Sequence, residues 1–438
     1  MADLTPRPGK QVSEPMPRPC KQVSGLLRLT TAGSVDDGKS TLVGRLLHDT
    51  QSILADQLAA VDRATRARGG SQLDLALFTD GLRAEREQGI TIDVAYRYFA
   101  TPTRKFILAD CPGHVQYTRN TVTGASTAEL AVVLVDARNG VVEQTRRHLA
   151  VMAFLRVPHV VLAVNKMDLV GFAEPTFRGI ESQFTAAASA LGMPEMVSVP
   201  ISALHGDNVV TRSESTPWYH GPTLLEHLET VPIGREAVAE PMRFPVQLVL
   251  RPRTADYPDY RGLAGQVASG VLERGDEVVA LPSGARSTVT GIDTPDGPVL
   301  QAAAGQSVTV LLGDEIDAGR GEVLARPEQT PRVVTELDAD LCWLSEQPLR
   351  PGARVLIKHG TRTVGAIVAA LTGRLDLDTL RHREPPAMLQ LNEIGGAHIR
   401  LAGLLAVDSY ASNRHTGGFL VIDTANGNTL AAGLVTAA

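Results

Sequence analysis

A glycine-rich stretch near the N-terminus has the residue types and spacing of a phosphate-binding loop. With the residue that follows it, the stretch reads Gly33, Ser34, Val35, Asp36, Asp37, Gly38, Lys39, Ser40 and Thr41. Glycines let backbone N–H groups close around phosphate oxygens, and the N-terminus of a following helix adds partial positive charge. Lys39 is expected to reach the β- and γ-phosphates of a nucleotide, and Ser40 is expected to bind Mg²⁺. A plain glycine turn is the alternative interpretation.

Two later motifs carry residues that would sense a γ-phosphate. Thr91 lies in the motif Gly-Ile-Thr-Ile at residues 89–92, where its hydroxyl can close on Mg²⁺ and on the γ-phosphate. Asp110 is placed to hold Mg²⁺ through a water, and the Gly113 N–H is placed to bind the γ-phosphate. His114 follows that glycine directly, so we predict that it orients the attacking water as a catalytic residue beside Thr91 and Lys39. The second motif reads Asp110, Cys111, Pro112, Gly113 and His114.

Two further motifs predict that the bound base is guanine. The first contains Asn165, Lys166 and Asp168, and the second contains Ser202, Ala203 and Leu204. The Asp168 carboxylate can accept hydrogen bonds from N1–H and from the exocyclic amine of guanine, a pair of donors that adenine lacks. A backbone N–H of the second motif can meet the guanine carbonyl. Each motif alone is weak, but their fixed order along one chain indicates a GTP-binding switch domain.

These motifs need a sheet whose strands end at the nucleotide. Apolar runs alternate with helical or polar stretches through the first half, which predicts an α/β domain with a doubly wound, mostly parallel sheet. All the motifs except that of Thr91 fall at carboxyl ends of strands, where open α/β sheets bind ligands. The predicted strands span residues 26–32, 96–100, 105–109, 130–136, 160–164 and 197–201, and the predicted helices span 41–47, 56–67 and 81–88.

The second half of the chain is richer in short β-type runs with glycine turns, which predict two β-barrels. His359 falls in one predicted hairpin and is expected at the surface, and the histidines other than His114 are predicted to be structural. The predicted barrel strands span 244–250, 263–271, 276–281, 307–312, 338–344, 353–359, 361–371, 387–391, 397–401 and 418–423. The predicted division is a disordered tail at 1–24, a GTP-binding P-loop domain at 25–235, and β-barrel domains at 236–328 and 329–438.

The composition excludes several classes of protein. A net charge of −6 over 438 residues gives no indication of a basic coat for nucleic acid. The three cysteines, Cys20, Cys111 and Cys342, have no paired spacing, so neither a disulfide framework nor a zinc site is expected. A cytoplasmic location is expected instead, because it keeps thiols reduced. No apolar run is long enough to span a bilayer, so no membrane partner is expected.

With these residues in view, the order of a GTPase domain and two barrels resembles the elongation factor Tu class of translational GTPases. Within that class the chain resembles the large, GTPase subunit of bacterial sulfate adenylyltransferase. Val115 and Thr121 depart from that pattern, where a glutamate and a methionine are expected. The blocks that carry the resemblance span residues 33–40, 44–50, 79–99, 116–120, 124–127, 143–148, 217–225, 260–262, 268–270, 275–278, 391–395 and 413–417.

The resemblance implies a subunit of a two-protein enzyme that makes adenylyl sulfate and pyrophosphate from ATP and sulfate. GTP and Mg²⁺ would bind this chain, and a separate small subunit would hold the adenylylation chemistry. The alternative is an elongation factor Tu-like protein that carries aminoacyl-tRNA, which would share every nucleotide motif. The long block at 79–99 and the Asp-Asp-Gly-Lys-Ser loop at 36–40 favour the first interpretation, in which no nucleic-acid partner is expected.

Overall fold

The computed structural model describes residues 25–52, 75, 93–194, 196–233, 235–252 and 259–437. Helices and strands are numbered here within those residues. The tail at 1–24, the helices predicted at 56–67 and 81–88, and Thr91 lie outside them. No helix within the described ranges is both long and apolar enough to cross a bilayer.

The first part of the chain forms a six-stranded sheet in the order β2-β3-β1-β4-β5-β6. Neighbouring strands are parallel except that β2 runs antiparallel to β3. Every residue of β4 is buried, as expected for a central strand covered on both faces. Each of the six predicted strands is present, with ends that shift by at most one residue. The strands are β1 (Leu26–Ala32), β2 (Ala95–Ala100), β3 (Lys105–Asp110), β4 (Leu130–Asp136), β5 (His159–Asn165) and β6 (Val197–Pro200).

Helices cover both faces of this sheet, so it is doubly wound as predicted. Alternate β4 residues supply the two cores: Val133 faces the core packed by α2, α3 and α4, and Val132 faces the core packed by α1 and α5. The helices are α1 (Lys39–Asp49), α2 (Thr118–Ser126), α3 (Glu143–Phe154), α4 (Glu174–Ala190), α5 (Leu224–Thr230) and α6 (Arg235–Ala239).

The next strands close into a barrel. Six of them form the ring β10-β15-β7-β8-β14-β11, which closes because β10 also pairs with β11, while β12 extends β11 and β9 pairs with β13. The run predicted at 263–271 is interrupted and forms two strands. The strands are β7 (Arg243–Leu250), β8 (Gly262–Gln266), β9 (Val271–Glu273), β10 (Glu277–Leu281), β11 (Ala285–Thr294), β12 (Gly297–Val299), β13 (Gln301–Ala303), β14 (Ser307–Leu312) and β15 (Val323–Ala325).

A second ring follows in the order β17-β21-β22-β16-β20-β18, and pairing of β17 with β18 closes it. The expected fold class, an α/β P-loop domain followed by two β-barrels, is therefore confirmed. The strand predicted at 387–391 is wrong: it makes one isolated bridge, between Leu389 and Leu349, directly after two prolines that cannot donate to a ladder. The strands are β16 (Arg332–Trp343), β17 (Arg354–His359), β18 (Arg362–Asp376), β19 (Arg381–Arg383), β20 (Ile394–Val407), β21 (Gly418–Ile422) and β22 (Thr429–Ala437).

His359 ends β17 at the predicted hairpin, but its predicted surface position is wrong. The side chain is 5% exposed, and its Nε2 lies 2.6 Å from the Thr416 carbonyl oxygen. Burial lowers its pKa, so the ring is neutral and serves as a packed structural group.

The connection between β20 and β21, at residues 408–417, contacts both the first barrel and the α/β part of the chain. Asp408 accepts two 2.9 Å hydrogen bonds from Arg243 of β7, a buried ion pair between the barrels. Tyr410 donates through Oη to the Leu155 carbonyl oxygen at 2.9 Å, just beyond α3. Arg414 donates to carbonyl oxygens at the end of α2 and beyond it. This connection therefore joins the three parts of the molecule at one place.

Candidate nucleotide-binding site

The loop between β1 and α1 has the backbone form that phosphate binding requires. Gly38 has φ 93°, and a Cβ there would lie 2.4 Å from Asn165 Nδ2, so the position accepts only glycine. Asp36 also has positive φ, at 65°. Helix α1 begins at Lys39 directly after this turn, which points its free N–H groups at the loop. Ser40 and Thr41 lie half-buried in its first turn, and Val35 is exposed at the loop tip.

Lys39 is buried behind the loop and is held by it. Its Nζ donates to the carbonyl oxygens of Gly33 at 2.8 Å and Ser34 at 2.7 Å. Burial lowers its pKa, while the nearby Asp110 and Asp37 carboxylates oppose that shift. The cation is therefore fixed beside the loop, where a phosphate group would supply the missing charge.

Asp37 closes the loop on itself. Its Oδ2 accepts a 2.6 Å hydrogen bond from the Ser34 N–H, and the residue is 4% exposed. Burial raises its pKa, against the lowering effect of Lys39. Asp37 thus stabilises the loop conformation from behind.

The motif at the end of β3 lies directly against Lys39. Asp110 is 1% exposed and accepts a 3.0 Å hydrogen bond from the Thr31 hydroxyl of β1. A Cβ at Gly113 would lie 2.4 Å from Lys39 Nζ, so a side chain there would displace the lysine. Cys111 is fully buried beside Thr30, and burial raises its pKa to about 12, which keeps it a neutral thiol.

His114 and Thr121 complete this side of the site. His114 is half-buried, and its ring stands edge-on to Tyr117 with centroids 6.3 Å apart. Thr121 of α2 donates through Oγ1 to the Pro112 carbonyl oxygen at 3.3 Å. A methionine at this position could not donate that hydrogen bond.

The two motifs predicted to recognise guanine meet at the ends of β5 and β6. Asn165 donates through Nδ2 to the Asp37 carbonyl oxygen at 2.7 Å and accepts the Ala203 N–H at 2.9 Å. It thereby joins the phosphate loop to the motif of Ser202, Ala203 and Leu204. Asp168 follows in a 3₁₀ turn, Met167–Val170, with 16% of its side chain exposed. An accessible carboxylate next to this junction suits the N1–H and amine of guanine.

Lys166 links the same junction to β4. It donates to the Asp36 carbonyl oxygen, and its Nζ lies 2.9 Å from Asp136 Oδ2. Burial of Asp136 opposes ionisation, but hydrogen bonds from Arg138 and Lys166 outweigh it and hold the pKa of that carboxyl well below its usual range. The ionised pair fixes Lys166 across the loop.

Four residues of the site were missed by sequence reasoning. Arg45 of α1 donates to the carbonyl oxygens of Ala203 and Leu204, which anchors the second base motif. Asp136 ends a buried strand, and that position could have predicted that it lies at the same edge of the sheet as Asp110 and Asn165. Gln144 and His148 of α3 lie next to Gly113, and nothing local in the sequence indicates this.

The arrangement brings a buried cation, a helix N-terminus and hard oxygen donors to one edge of the sheet. Ser40 and Asp110 supply the hydroxyl and carboxylate oxygens that Mg²⁺ prefers, so the described part of the site fits that ion. The described residues contain no group of three or more His, Cys, Asp or Glu side chains that could hold a metal.

Two family models match this chain. Residues 25–233 match the family described as the elongation factor Tu GTP binding domain, and residues 336–436 match the GTP-eEF1A C-terminal domain-like family. A crystal structure of Sup35 complexed with GDP aligns over 94% of each chain with 23% identity and a TM-score of 0.43.

Curated relatives are similar over nearly the whole chain. The bifunctional enzyme CysN/CysC of Mycobacterium tuberculosis strain H37Rv is 54% identical over 94% of this chain and 67% of its own length. Sulfate adenylyltransferase subunit 1 of Teredinibacter turnerae is 52% identical over 93% of this chain and 87% of that protein. The Alteromonas mediterranea protein of the same name is 49% identical, with coverage of 94% and 86%. The chain therefore belongs to the sulfate adenylyltransferase subunit 1 family, whose GTP-binding domain is of the elongation factor Tu type.

Proposed function

We propose that this chain is the GTPase subunit of a sulfate adenylyltransferase. GTP hydrolysis here would drive transfer of the adenylyl group from ATP to sulfate, which gives adenylyl sulfate and pyrophosphate on a separate, smaller catalytic subunit. The observation that carries the proposal is the 49–52% identity to proteins named subunit 1 over 93–94% of the chain. That identity includes the barrels, so it extends beyond the nucleotide motifs that all relatives of elongation factor Tu share.

Within this function we assign roles to the nucleotide loops. Residues 33–41 hold the phosphates, with Lys39 at the β- and γ-phosphates, and Asp168 with Asn165 and Lys166 selects guanine. A backbone N–H of residues 202–204 meets the guanine carbonyl. Mg²⁺ would be held by Ser40, by Thr91, and by Asp110 through water, and would neutralise charge on the phosphates when bound. His114 orients the attacking water, supported by its position after Gly113.

The physical logic is thermodynamic linkage. Adenylyl sulfate is a reactive mixed anhydride, so GTP hydrolysis can drive its formation only if the nucleotide state changes what the partner binds or releases. We assign nucleotide chemistry to residues 25–235, and partner contacts to the surfaces of its two switches and to the barrels at 236–328 and 329–438. The contacts of residues 408–417 with α2, which lies shortly after the γ-phosphate motif in the chain, support a connection between the nucleotide loops and the second barrel.

The test is pyrophosphate release from ATP and sulfate by this chain copurified with its small subunit. We expect release that needs sulfate and rises when GTP is added. Lys39→Ala in the same complex should abolish the GTP stimulation, while leaving sulfate-dependent release at the level seen without GTP. If the complex hydrolyses GTP but its pyrophosphate release does not depend on sulfate, the proposal is overturned. Binding of aminoacyl-tRNA would then identify the chain as a translation factor.

A further inference from the structure

Two side chains outside the nucleotide motifs hold the peptide groups on either side of Gly113. Gln144, in the first turn of α3, has its Nε2 3.1 Å from the Gly113 carbonyl oxygen. Thr121 of α2 is fully buried, and its hydroxyl lies 3.3 Å from the Pro112 carbonyl oxygen. The Pro112 carbonyl and the Gly113 N–H belong to one rigid peptide plane, and the Gly113 carbonyl and the His114 N–H belong to the next. The two hydrogen bonds therefore set the orientation of both planes.

The contact between Gln144 and the Gly113 carbonyl determines which end of the Gln144 amide faces Gly113. A carbonyl oxygen can only accept, so the Gln144 amide must present its NH₂ group to Gly113. The same Nε2 lies 3.1 Å from His148 Nε2, and a neutral His148 ring can accept a hydrogen bond there. Burial, together with the Lys39 charge, lowers the pKa of His148 to about 3, which agrees with a neutral ring. The Gln144 Oε1 is buried without a hydrogen-bond partner in the described structure. No hydrogen bond to Oε1 there therefore favours the flipped amide, in which Oε1 would face Gly113.

We infer that Gln144 is a positioning residue for GTP hydrolysis, which rests on the proposed GTPase function. Its amide fixes the peptide that joins the γ-phosphate-sensing Gly113 to His114, and His148 holds the amide in place from the core. Thr121 fixes the preceding peptide, whose N–H faces the γ-phosphate. Neither side chain contacts the nucleotide in this mechanism. Both act by preorganising Gly113 and His114, so their loss should affect states with a γ-phosphate and spare states without one.

The effect can be separated from a general structural role. Gln144→Glu keeps the shape of the side chain but replaces the donor with a carboxylate that repels the Gly113 carbonyl. Loss of one such hydrogen bond and an unsatisfied buried acceptor correspond to about a tenfold change in an equilibrium or rate. We expect about tenfold slower single-turnover hydrolysis and about tenfold weaker binding of a non-hydrolysable GTP analogue. Affinity for GDP should change by less than about threefold, because GDP lacks the γ-phosphate.

The experiment uses the full chain and fluorescent GDP, with the GTP analogue measured by competition. Glu143→Gln is the matched control: it makes the reverse change one residue away, at a side chain that is 69% exposed, and should behave as wild type. Thr121→Val removes the second anchor and should give the same pattern as Gln144→Glu. Wild-type GDP affinity in each variant shows that it is folded.

Four outcomes test the inference and the proposed function. Wild-type hydrolysis and analogue affinity in Gln144→Glu would overturn it, as would an equal loss of GDP and analogue affinity. If the wild-type chain hydrolyses no GTP, both the inference and the proposed function fall. If the wild type hydrolyses GTP but GTP leaves pyrophosphate release unchanged, only the proposed function falls.

Discussion

Arg414→Ala should release the second barrel from the helix that follows the γ-phosphate motif. The Arg414 guanidinium donates through Nε to the Leu155 carbonyl oxygen at 3.0 Å and through Nη1 to that of Ala128 at 2.9 Å. A longer bond of 3.3 Å reaches the Ala125 carbonyl oxygen in the last turn of α2. A cation at the C-terminal end of a helix satisfies free carbonyl groups and opposes the negative end of the helix dipole.

The magnitude follows from these distances. Hydrogen bonds from a charged donor contribute about 1.5–3 kcal/mol each, and Arg414 is half-buried, so the lower value applies to the two short bonds and nothing is counted for the long one. The expected loss is about 3 kcal/mol, or about 150-fold in the equilibrium for opening of this contact. Arg414→Lys should lose less of this free energy than Arg414→Ala, because the ammonium group keeps the charge. It should still lose some, because one ammonium group cannot reach all the carbonyl oxygens.

The assay is amide hydrogen exchange of the GDP-bound chain, followed over the peptides that contain α2 and Leu155. Where opening and closing are fast compared with chemical exchange, rates in the last turn of α2 should rise by up to about 150-fold in Arg414→Ala. Arg381→Ala, at an exposed arginine on β19 of the same barrel, is the matched control and should leave these rates unchanged. A rise of less than about threefold in Arg414→Ala would refute the assignment of Arg414 as the anchor of α2.

Four further predictions concern the nucleotide site and its core. Lys39→Ala should weaken GTP binding at least about a hundredfold in equilibrium titration, since charged hydrogen bonds to two phosphates are lost; near-normal affinity would contradict the P-loop assignment. Asp168→Asn should lower GTP affinity by about a hundredfold and shift preference towards XTP in competition binding, because an amide can donate to the altered ring edge; unchanged selectivity would remove Asp168 from base recognition. His114→Ala should slow single-turnover hydrolysis by at least about a hundredfold with GTP binding within a few-fold of wild type, and a wild-type rate would exclude a catalytic role. His148→Asn should flatten the pH dependence of stability below pH 6, because the unfolded chain protonates this histidine near its ordinary pKa of 6.5 and the folded chain only near about 3. As the pH is lowered through that range, the wild-type free energy of unfolding should fall by about 1.4 kcal/mol per pH unit more than that of the variant. Equal pH dependence of the two free energies, measured by urea denaturation, would contradict this.

The sequence alone determined the features that depend on local order. The motif of residues 33–40 predicts its own turn, because Gly38 and Lys39 define a backbone form and a charge within a few residues. The apolar run at 130–136 predicts a buried strand, and the strand-end positions of Asp110 and Asn165 predict that they meet at one edge of the sheet. The order of sheet and barrels follows from a change in sequence pattern: apolar runs alternate with helical stretches in the first half, and short β-type runs with glycine turns fill the second.

The tertiary structure alone decided the contacts between residues distant in the chain. Gln144 lies 31 residues from Gly113, and Arg414 lies 286 residues from Ala128. Such pairs leave no periodic signal, because each side chain is compatible with an ordinary exposed helix or loop until its partner is packed against it. His359 shows the same limit: a hairpin turn is encoded locally, but its burial depends on the loop that carries Thr416. Local spacing determines backbone form and chemistry, whereas the docking of whole elements determines which of those groups support the site.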